Sequence, residues 1–164
     1  MEPRPTPPAP AHLSEAAQAF LRTPASATPG AELALDDTEG WLARIRSTDD
    51  YIVRRFAGIE LPVDVVDTTI AGVRTFVLRG PGVVDDVTTP VYLDIHGGGL
   101  IAGGGEACRC MGTANALGTG MIHWAVDYRM PPHHPYPAPL DDCLAVYRAL
   151  LEVRAPGQIV VGGG

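Results

Sequence analysis

Residues 91–99 have the sequence Val-Tyr-Leu-Asp-Ile-His-Gly-Gly-Gly, a short and mostly apolar run that ends in three consecutive glycines. A short apolar run bounded by glycine is typical of a strand that is buried on both faces of a sheet. Consecutive glycines allow backbone conformations that residues with a Cβ resist. We therefore predict a strand over residues 91–95 and a tight turn directly after it.

The predicted turn, His96-Gly97-Gly98-Gly99, suits the chemistry of acyl transfer. Negative charge develops on the substrate carbonyl oxygen in that reaction, and unhindered backbone N–H groups can stabilise this charge. An HGGG motif after a strand is an oxyanion element of lipases and esterases. A glycine-rich turn with no chemical role would have the same sequence, so the motif needs support from elsewhere in the chain.

The residues around this turn predict a hairpin followed by alternating helices and strands. Valines alternate with other side chains over residues 63–65 and 73–77, and Ala71-Gly72 between them indicates a hairpin turn. A hairpin that leads into βα units indicates an α/β fold with a mostly parallel sheet and an antiparallel edge. The later elements are a helix over 106–117, a strand over 121–126, a helix from Pro139 with Leu140, Cys143, Leu144, Tyr147, Leu150 and Leu151 on one face, and a strand over 158–161.

The first 58 residues predict a tail and helices. Five prolines between residues 3 and 10 predict an extended, disordered tail over 1–11. A helix follows within 12–22, and then a Pro/Ser/Thr-rich break over 23–30. Asp37 is the expected N-cap of one or two helices that reach Phe56, with a restart at Ser47-Thr48-Asp49 in the two-helix case.

The composition excludes several functions. The formal net charge is −7, from 12 basic and 19 acidic residues, which is the opposite of the balance expected for a nucleic-acid-binding protein. Every basic residue is Arg, so a Walker-type phosphate loop, which requires Lys, is excluded. No apolar stretch is long enough to span a membrane and no signal peptide is evident, so we expect a cytoplasmic protein.

The cysteines Cys108, Cys110 and Cys143 are too few for a disulfide framework. Only one residue separates Cys108 from Cys110, which is poor spacing for a metal site. Cys143 falls on an apolar helix face, where a small buried hydrophobe is expected rather than a nucleophile. We therefore expect no metal, no cofactor and no catalytic cysteine.

A second motif, Asp127-Tyr128-Arg129, follows the strand over 121–126 and leads into Met-Pro-Pro-His-His-Pro-Tyr-Pro-Ala at 130–138. With the HGGG turn, this motif makes residues 62–164 resemble the hormone-sensitive-lipase-like esterases. Those proteins have an HGGG strand end, then D-Y-R-L-A-P-E, then Phe/Tyr-Pro-Ala and an amphipathic helix. The chain departs from this pattern at Met130, Pro131 and His133, which replace Leu, Ala and Glu; His133 could replace the lost Glu as a hydrogen-bond partner of Arg129, or the network could differ.

The resemblance implies an α/β-hydrolase fold with a helical cap over 12–58 and the N-terminal half of the hydrolase domain over 59–164. It implies a carboxylic ester hydrolase that acts on a small-molecule ester through an acyl-enzyme. Gly97, Gly98 and Gly99 would form the oxyanion hole. Further residues would support the motifs without reacting: His96, Asp127, Tyr128 and Arg129.

The end of the chain resembles the approach to the nucleophile elbow of these esterases, G-D-S-A-G. Gly163 would be the first glycine of that elbow and Gly164 the residue before its Ser. The Ser, Asp and His of the triad are therefore expected after Gly164, with the C-terminal half of the fold. We expect residues 1–164 to be inactive alone, and poorly stable or aggregation-prone because the last strand becomes a sheet edge. The serines present are Ser14, Ser26 and Ser47, and all of them precede the first strand.

Two other interpretations compete with the esterase. One is a non-catalytic protein that binds a small ligand on the same scaffold, as the plant gibberellin receptors do. The other is a dinucleotide-binding loop that begins at Gly162-Gly163-Gly164, but it leaves HGGG and Asp127-Tyr128-Arg129 unexplained. The sequence indicates neither the physiological ester nor the oligomeric state.

Overall fold

The computed structural model describes residues 8–22 and 33–164. These fall into two compact units, residues 1–34 and residues 35–164. The first unit contains helix α1 (Glu15–Arg22), where Ser14 Oγ accepts a hydrogen bond of 3.3 Å from the Ala17 N–H. The predicted tail at 1–11 falls largely on residues 1–7, which lie outside the described residues, as does the predicted break at 23–30.

The second unit contains a five-stranded mixed sheet whose strand order is β1-β2-β4-β3-β5. The last three strands in the chain run parallel to one another, and the first two form an antiparallel hairpin at one edge. The prediction of a parallel sheet with an antiparallel N-terminal hairpin is therefore confirmed. The strands are β1 (Asp64–Ile70), β2 (Val73–Arg79), β3 (Val91–Asp94), β4 (Ile122–Val126) and β5 (Ile159–Gly162).

The hairpin turn lies at the two residues that the sequence indicates. Ala71 and Gly72 both have positive φ, 50° and 83°. A two-residue turn with positive φ at both positions matches the right-handed twist of the flanking strands. The turn sets the register, in which Ile70 pairs with Val73 and Asp64 with Arg79.

Three helices accompany the sheet: α2 (Thr38–Phe56), α3 (Glu106–Thr119) and α4 (Ala138–Val153). Asp37 is the N-cap of α2, and its carboxylate accepts a 2.9 Å hydrogen bond from the Gly40 N–H, as predicted. The predicted restart at Ser47-Thr48-Asp49 is wrong, because α2 is continuous through it. Thr48 Oγ1 donates to the Arg44 carbonyl one turn back, so its hydroxyl bonds within the helix and does not cap a new one.

The core consists of two clusters, one between the sheet and α3 and one between the sheet and α4. The first includes Phe76, Leu78 and Cys108, and the second includes Leu93 and Ile122. Within the described ranges, no helix combines the length and the apolarity required to cross a bilayer.

The predicted apolar face of α4 is partly wrong. Leu150 is buried as expected, but Leu140, Leu144 and Leu151 are exposed. The buried stripe instead contains Pro139, Asp142, Val146 and Leu150. The physical reason is the bond between Asp142 and Arg129, described below, which turns the Asp142 stripe towards the end of β4.

Candidate active site

The glycine turn follows β3 at the edge of the sheet where the parallel strands end. Gly98 and Gly99 have φ values of +128° and +65°, a region that favours glycine. The Ile101 and Ala102 N–H groups donate to the Gly98 carbonyl at 3.3 and 3.1 Å, which closes the turn. A Cβ on Gly98 would overlap the Ala102 carbonyl, whereas one on Gly99 would meet no atom within 4 Å.

The amide groups of Gly98 and Gly99 have no hydrogen-bond acceptor among the described residues. Gly99 also faces open space on its Cβ side. These two N–H groups can therefore donate to an external oxygen without losing an internal partner.

His96 is a structural support of this turn. Its side chain is buried, and Nδ1 donates a 2.8 Å hydrogen bond to the Gly97 carbonyl. The imidazole stacks on the Tyr128 ring, and the Tyr128 hydroxyl donates to the His96 carbonyl. Burial lowers the pKa of His96, so the ring is neutral at physiological pH and holds the turn by packing.

Asp127 connects the end of β4 to the start of α3. Its Oδ1 accepts a 2.8 Å hydrogen bond from the Gly105 N–H, directly before the first residue of α3. Its Oδ2 lies 3.4 Å from Arg74 Nη1 on β2. This carboxylate thus satisfies one of the free N–H groups at the N-terminus of α3 and fixes the exit from the glycine turn.

Arg129 binds Asp142 and not His133. The Arg129 backbone N–H, Nε and Nη2 donate to the Asp142 carboxylate at 2.8, 2.9 and 2.7 Å. Burial alone would raise the pKa of Asp142, but the hydrogen bonds from Arg129 outweigh it and hold the pKa below its usual value. His133 is exposed, and among the described residues it makes no hydrogen bond with Arg129. Of the two alternatives for Arg129, the structure therefore has the different network, in which Arg129 bonds to Asp142.

The end of β5 meets the glycine turn backbone to backbone. The Ile95 N–H donates to the Gly162 carbonyl at 2.9 Å, which extends the pairing of β3 with β5. A Cβ on Gly163 would overlap the Ile95 carbonyl, and one on Gly97 would overlap the Gly164 carbonyl. The two glycine segments that the sequence singles out, 97–99 and 163–164, therefore lie in direct contact.

Sequence reasoning missed two polar residues of this region. Asp49, in the middle of α2, has Oδ1 2.6 Å from the Gly103 N–H. Asp94, at the end of β3, is 2% exposed, accepts from Asn115 Nδ2 at 3.0 Å and lies 3.5 Å from His123 Nδ1. Asp94 carries a sequence signal, since a carboxylate interrupts an apolar strand, whereas Asp49 resembles any solvent-facing helix residue.

Among the residues that the structure describes, one cluster contains metal-ligating residue types: His96, Cys108 and Asp127, whose ligand atoms lie within 4.8 Å of one another. Both Asp127 oxygens already accept hydrogen bonds, from Gly105 and Arg74. Burial raises the pKa of the Cys108 thiol, which opposes the thiolate that a metal requires. The chemistry of these donors fits a packed support beneath the turn better than a metal site.

The comparisons with known proteins agree with this geometry. Residues 92–164 match the family model described as alpha/beta hydrolase fold. The carboxylesterase NlhH of Mycobacterium tuberculosis is 41% identical over 88 residues, which are 51% of this chain and 27% of that protein. The esterase LipI of the same organism is 36% identical over 108 residues, 60% of this chain and 34% of that protein.

Solved structures show the same fold. The crystal structure named esterase E25 has a TM-score of 0.77 at 30% identity, and the match covers 99% of this chain and 51% of that one. A hormone-sensitive lipase from a metagenome library has a TM-score of 0.60 at 28% identity, over 78% of this chain and 46% of that one.

The chain thus matches about half the length of these solved structures and 27–34% of the two mycobacterial relatives. The dinucleotide-binding interpretation of residues 162–164 is set aside, because the hydrolase match includes those residues. With the hairpin-edged sheet and the glycine turn after β3, these matches show that the chain has the α/β-hydrolase fold and is similar to carboxylesterases and to a hormone-sensitive lipase.

Proposed function

We propose that the glycine turn is the oxyanion-binding part of the active site of a carboxylic ester hydrolase. The observation that carries this proposal is the contact between the turn and the end of β5, where a Cβ on Gly97 would overlap the Gly164 carbonyl. A nucleophile and its oxyanion donors must both lie about 3 Å from the same reacting carbonyl group. A nucleophile carried just after Gly164 would meet this requirement beside Gly98 and Gly99.

The chemistry of the proposed site is acyl transfer. A serine hydroxyl attacks the ester carbonyl, the carbon becomes tetrahedral, and its oxygen gains negative charge. The Gly98 and Gly99 N–H groups would donate to that oxygen, with Gly97 shaping the turn. Donors held in place before the reaction need no reorganisation, and the loss of one costs about 10²–10³ in kcat.

The proposed substrate is a small-molecule ester, in line with the names of the mycobacterial relatives, a carboxylesterase and an esterase. We include α2 in a cap region over 12–58, with residues 59–164 as the first half of the hydrolase domain. The hydrogen bond from the Gly103 N–H to Asp49 brings α2 to the exit of the turn, where a cap over the site would lie.

Residues 1–164 alone are not expected to hydrolyse esters. Ser14 directly precedes α1 and Ser47 lies within α2, so neither lies on a strand-to-helix turn. Cys108 is fully buried, and burial raises the pKa of its thiol. The proposal therefore assigns the Ser, Asp and His of the triad to positions after Gly164.

A chimera tests the proposal. Residues 1–164 are joined at Gly164 to the C-terminal half of esterase E25, and turnover of p-nitrophenyl acetate and butyrate is measured. We expect turnover that falls by about 10² or more in Gly98→Ala, because the new Cβ displaces the turn. Gly118→Ala is the matched control, since Gly118 is exposed near the end of α3 and has open space around it, and it should keep full turnover.

Three results would contradict the proposal. The first is a chimera that melts cooperatively but has no turnover, and the second is equal turnover in Gly98→Ala and the parent. The third is turnover by residues 1–164 alone above that of their own Gly98→Pro variant, which would contradict the assignment of the triad to positions after Gly164. Ester binding without turnover in the folded chimera would favour the non-catalytic binding protein.

A further inference from the structure

A hydrogen bond joins helix α2 to the exit of the glycine turn. Asp49 Oδ1 accepts the Gly103 N–H at 2.6 Å, across 54 positions of the chain. Gly103 has a φ of +97°, and a Cβ there would overlap the Gly97 carbonyl and lie 2.7 Å from His96 Nδ1. The backbone that Asp49 holds is therefore in contact with the HGGG residues themselves.

We propose that Asp49 is a positioning residue, which holds the exit of the glycine turn so that the Gly98 and Gly99 N–H groups keep their orientation. This inference rests on the proposed function, because it makes α2 responsible for the geometry of the proposed oxyanion site. The hydrogen bond itself can be tested without any esterase activity.

The hydrogen bonds around the turn show why an external acceptor matters. The start of the glycine turn is fixed by β3 and by the hydrogen bond from the Ile95 N–H to the Gly162 carbonyl. Its middle is held by the two weak hydrogen bonds that the Ile101 and Ala102 N–H groups donate to the Gly98 carbonyl. At the exit, Asp127 holds the Gly105 N–H and Asp49 holds the Gly103 N–H. Bonds to a charged acceptor are shorter and about twice as strong as neutral ones. Two carboxylates thus hold the exit of the turn: Asp49 in α2, which precedes the turn in the chain, and Asp127 after β4, which follows it.

The surroundings of Asp49 raise the pKa of its carboxyl group. Burial raises this pKa most, and the like charges of Asp50 and Asp127 raise it further. The hydrogen bond from the Gly103 N–H and the interaction with His96 lower it, but by less. A carboxyl group whose pKa is raised by folding stabilises the protein fully below its unfolded pKa, and this stabilisation is lost as the pH rises through the folded pKa. At neutral pH the ionised Asp49 therefore costs folding stability, while its charge strengthens the bond to Gly103.

The first test follows the Gly103 amide in the full chain by ¹⁵N nuclear magnetic resonance. We expect its hydrogen exchange to be about tenfold faster in Asp49→Ala and less accelerated in Asp49→Asn, which keeps an oxygen acceptor. The wild-type Gly103 shift should titrate with a midpoint above the ordinary Asp value of 3.8, and Asp49→Asn should abolish this titration. Asp50→Asn, the exposed neighbour, is the matched control and should leave Gly103 exchange unchanged.

Equal Gly103 exchange in the wild type and in Asp49→Ala would overturn the proposal. If Asp49→Ala does not fold, the titration decides: an unchanged Gly103 midpoint in Asp49→Asn overturns the proposal, and its loss supports it. A positioning role also predicts that Asp49→Asn is no less stable at neutral pH, as measured by its thermal midpoint, whereas a stabilising role predicts a clear loss.

The second test measures kinetics in the chimera. Asp49→Ala should lower kcat about tenfold with KM changed less than about twofold, because the turn acts on the transition state and not on ester binding. Asp49→Asn should recover part of the loss, and Asp50→Asn should match the parent. An unchanged kcat in Asp49→Ala contradicts the proposal even where Gly98→Ala confirms the oxyanion site. A chimera without any turnover counts against the proposed function, and the Gly103 exchange still decides the role of Asp49.

Discussion

The imidazole of His96 lies flat on the ring of Tyr128, with centroids 4.2 Å apart and planes inclined by 9°. The Tyr128 hydroxyl also donates a 2.7 Å hydrogen bond to the His96 carbonyl. The segments that follow β3 and β4 are thus joined twice, once by the stacked rings and once by the hydrogen bond from the Tyr128 hydroxyl to the His96 carbonyl. This pair fixes where the chain leaves β3, and therefore where the glycine turn begins.

Replacing Tyr128 by Phe tests the hydrogen bond from its hydroxyl to the His96 carbonyl. The substitution keeps the stacked ring but leaves the buried His96 carbonyl without its donor, which costs about 1–3 kcal/mol in the free energy of unfolding. Denaturant unfolding measures the loss. Tyr136→Phe is the matched control, since Tyr136 is 80% exposed and should change stability by less than about 0.5 kcal/mol. Equal stability of the two variants would show that the hydroxyl contributes nothing.

The bond between Arg129 and Asp142 predicts a pH dependence of stability. The pKa of Asp142 lies below its usual value, so the ionised form favours folding. This stabilisation is fully present above the unfolded pKa of about 3.9 and is lost as the pH falls through the lower folded pKa. Asp142→Ala should therefore cost about 2 kcal/mol at neutral pH, and the difference from the wild type should shrink below about pH 4.

The control for this experiment is Asp141→Ala. Asp141 is the exposed neighbour of Asp142 in the first turn of α4, and its loss should cost less than about 1 kcal/mol through the helix dipole. A cost for Asp142→Ala that is independent of pH would mean that packing, and not the ion pair, accounts for its effect.

Local chemistry made the main features of the fold predictable from the sequence. The hairpin follows from Ala71-Gly72, because two positive φ values suit a two-residue turn between alternating strands. The strand end at β3 follows from a short apolar run before three glycines. The contact between residues 97 and 164 depends on the pairing of β3 with β5, which the sequence does not indicate.

The contacts that the sequence could not predict join distant parts of the chain. The bond from Asp49 to Gly103 spans 54 positions, and nothing near Asp49 distinguishes it from the exposed Asp50 beside it. The buried face of α4 could not be read from its leucines, because Arg129 holds Asp142 and so sets the rotation of the helix. In both cases a single carboxylate with a distant donor decides the local arrangement.

The three cysteines should be chemically inert in the folded chain. Burial raises the pKa of Cys143 to about 11, and it raises those of Cys108 and Cys110 as well. Relative to an ordinary thiol, Cys143 then has about a hundredfold less thiolate at pH 8. Reaction with Ellman's reagent should be slow in buffer and prompt for all three thiols in concentrated guanidinium chloride. A rapid native reaction that Cys143→Ser removes would show that this thiol is activated.

Strand β5 should make residues 1–164 self-associate. It pairs with β3 on one side, and among the described residues no strand covers its other side. Val160 and Val161 are 42% and 54% exposed, so this edge offers both free backbone groups and apolar side chains to another chain. A lysine at an edge strand opposes such pairing, and Val161→Lys should therefore shift sedimentation from concentration-dependent oligomers towards the monomer. Val153→Lys, at the similarly exposed end of α4, should leave the oligomers in place, because charge alone does not cover the edge. A wild-type chain that stays monomeric at every concentration would contradict this account, and so would an equal shift in both variants.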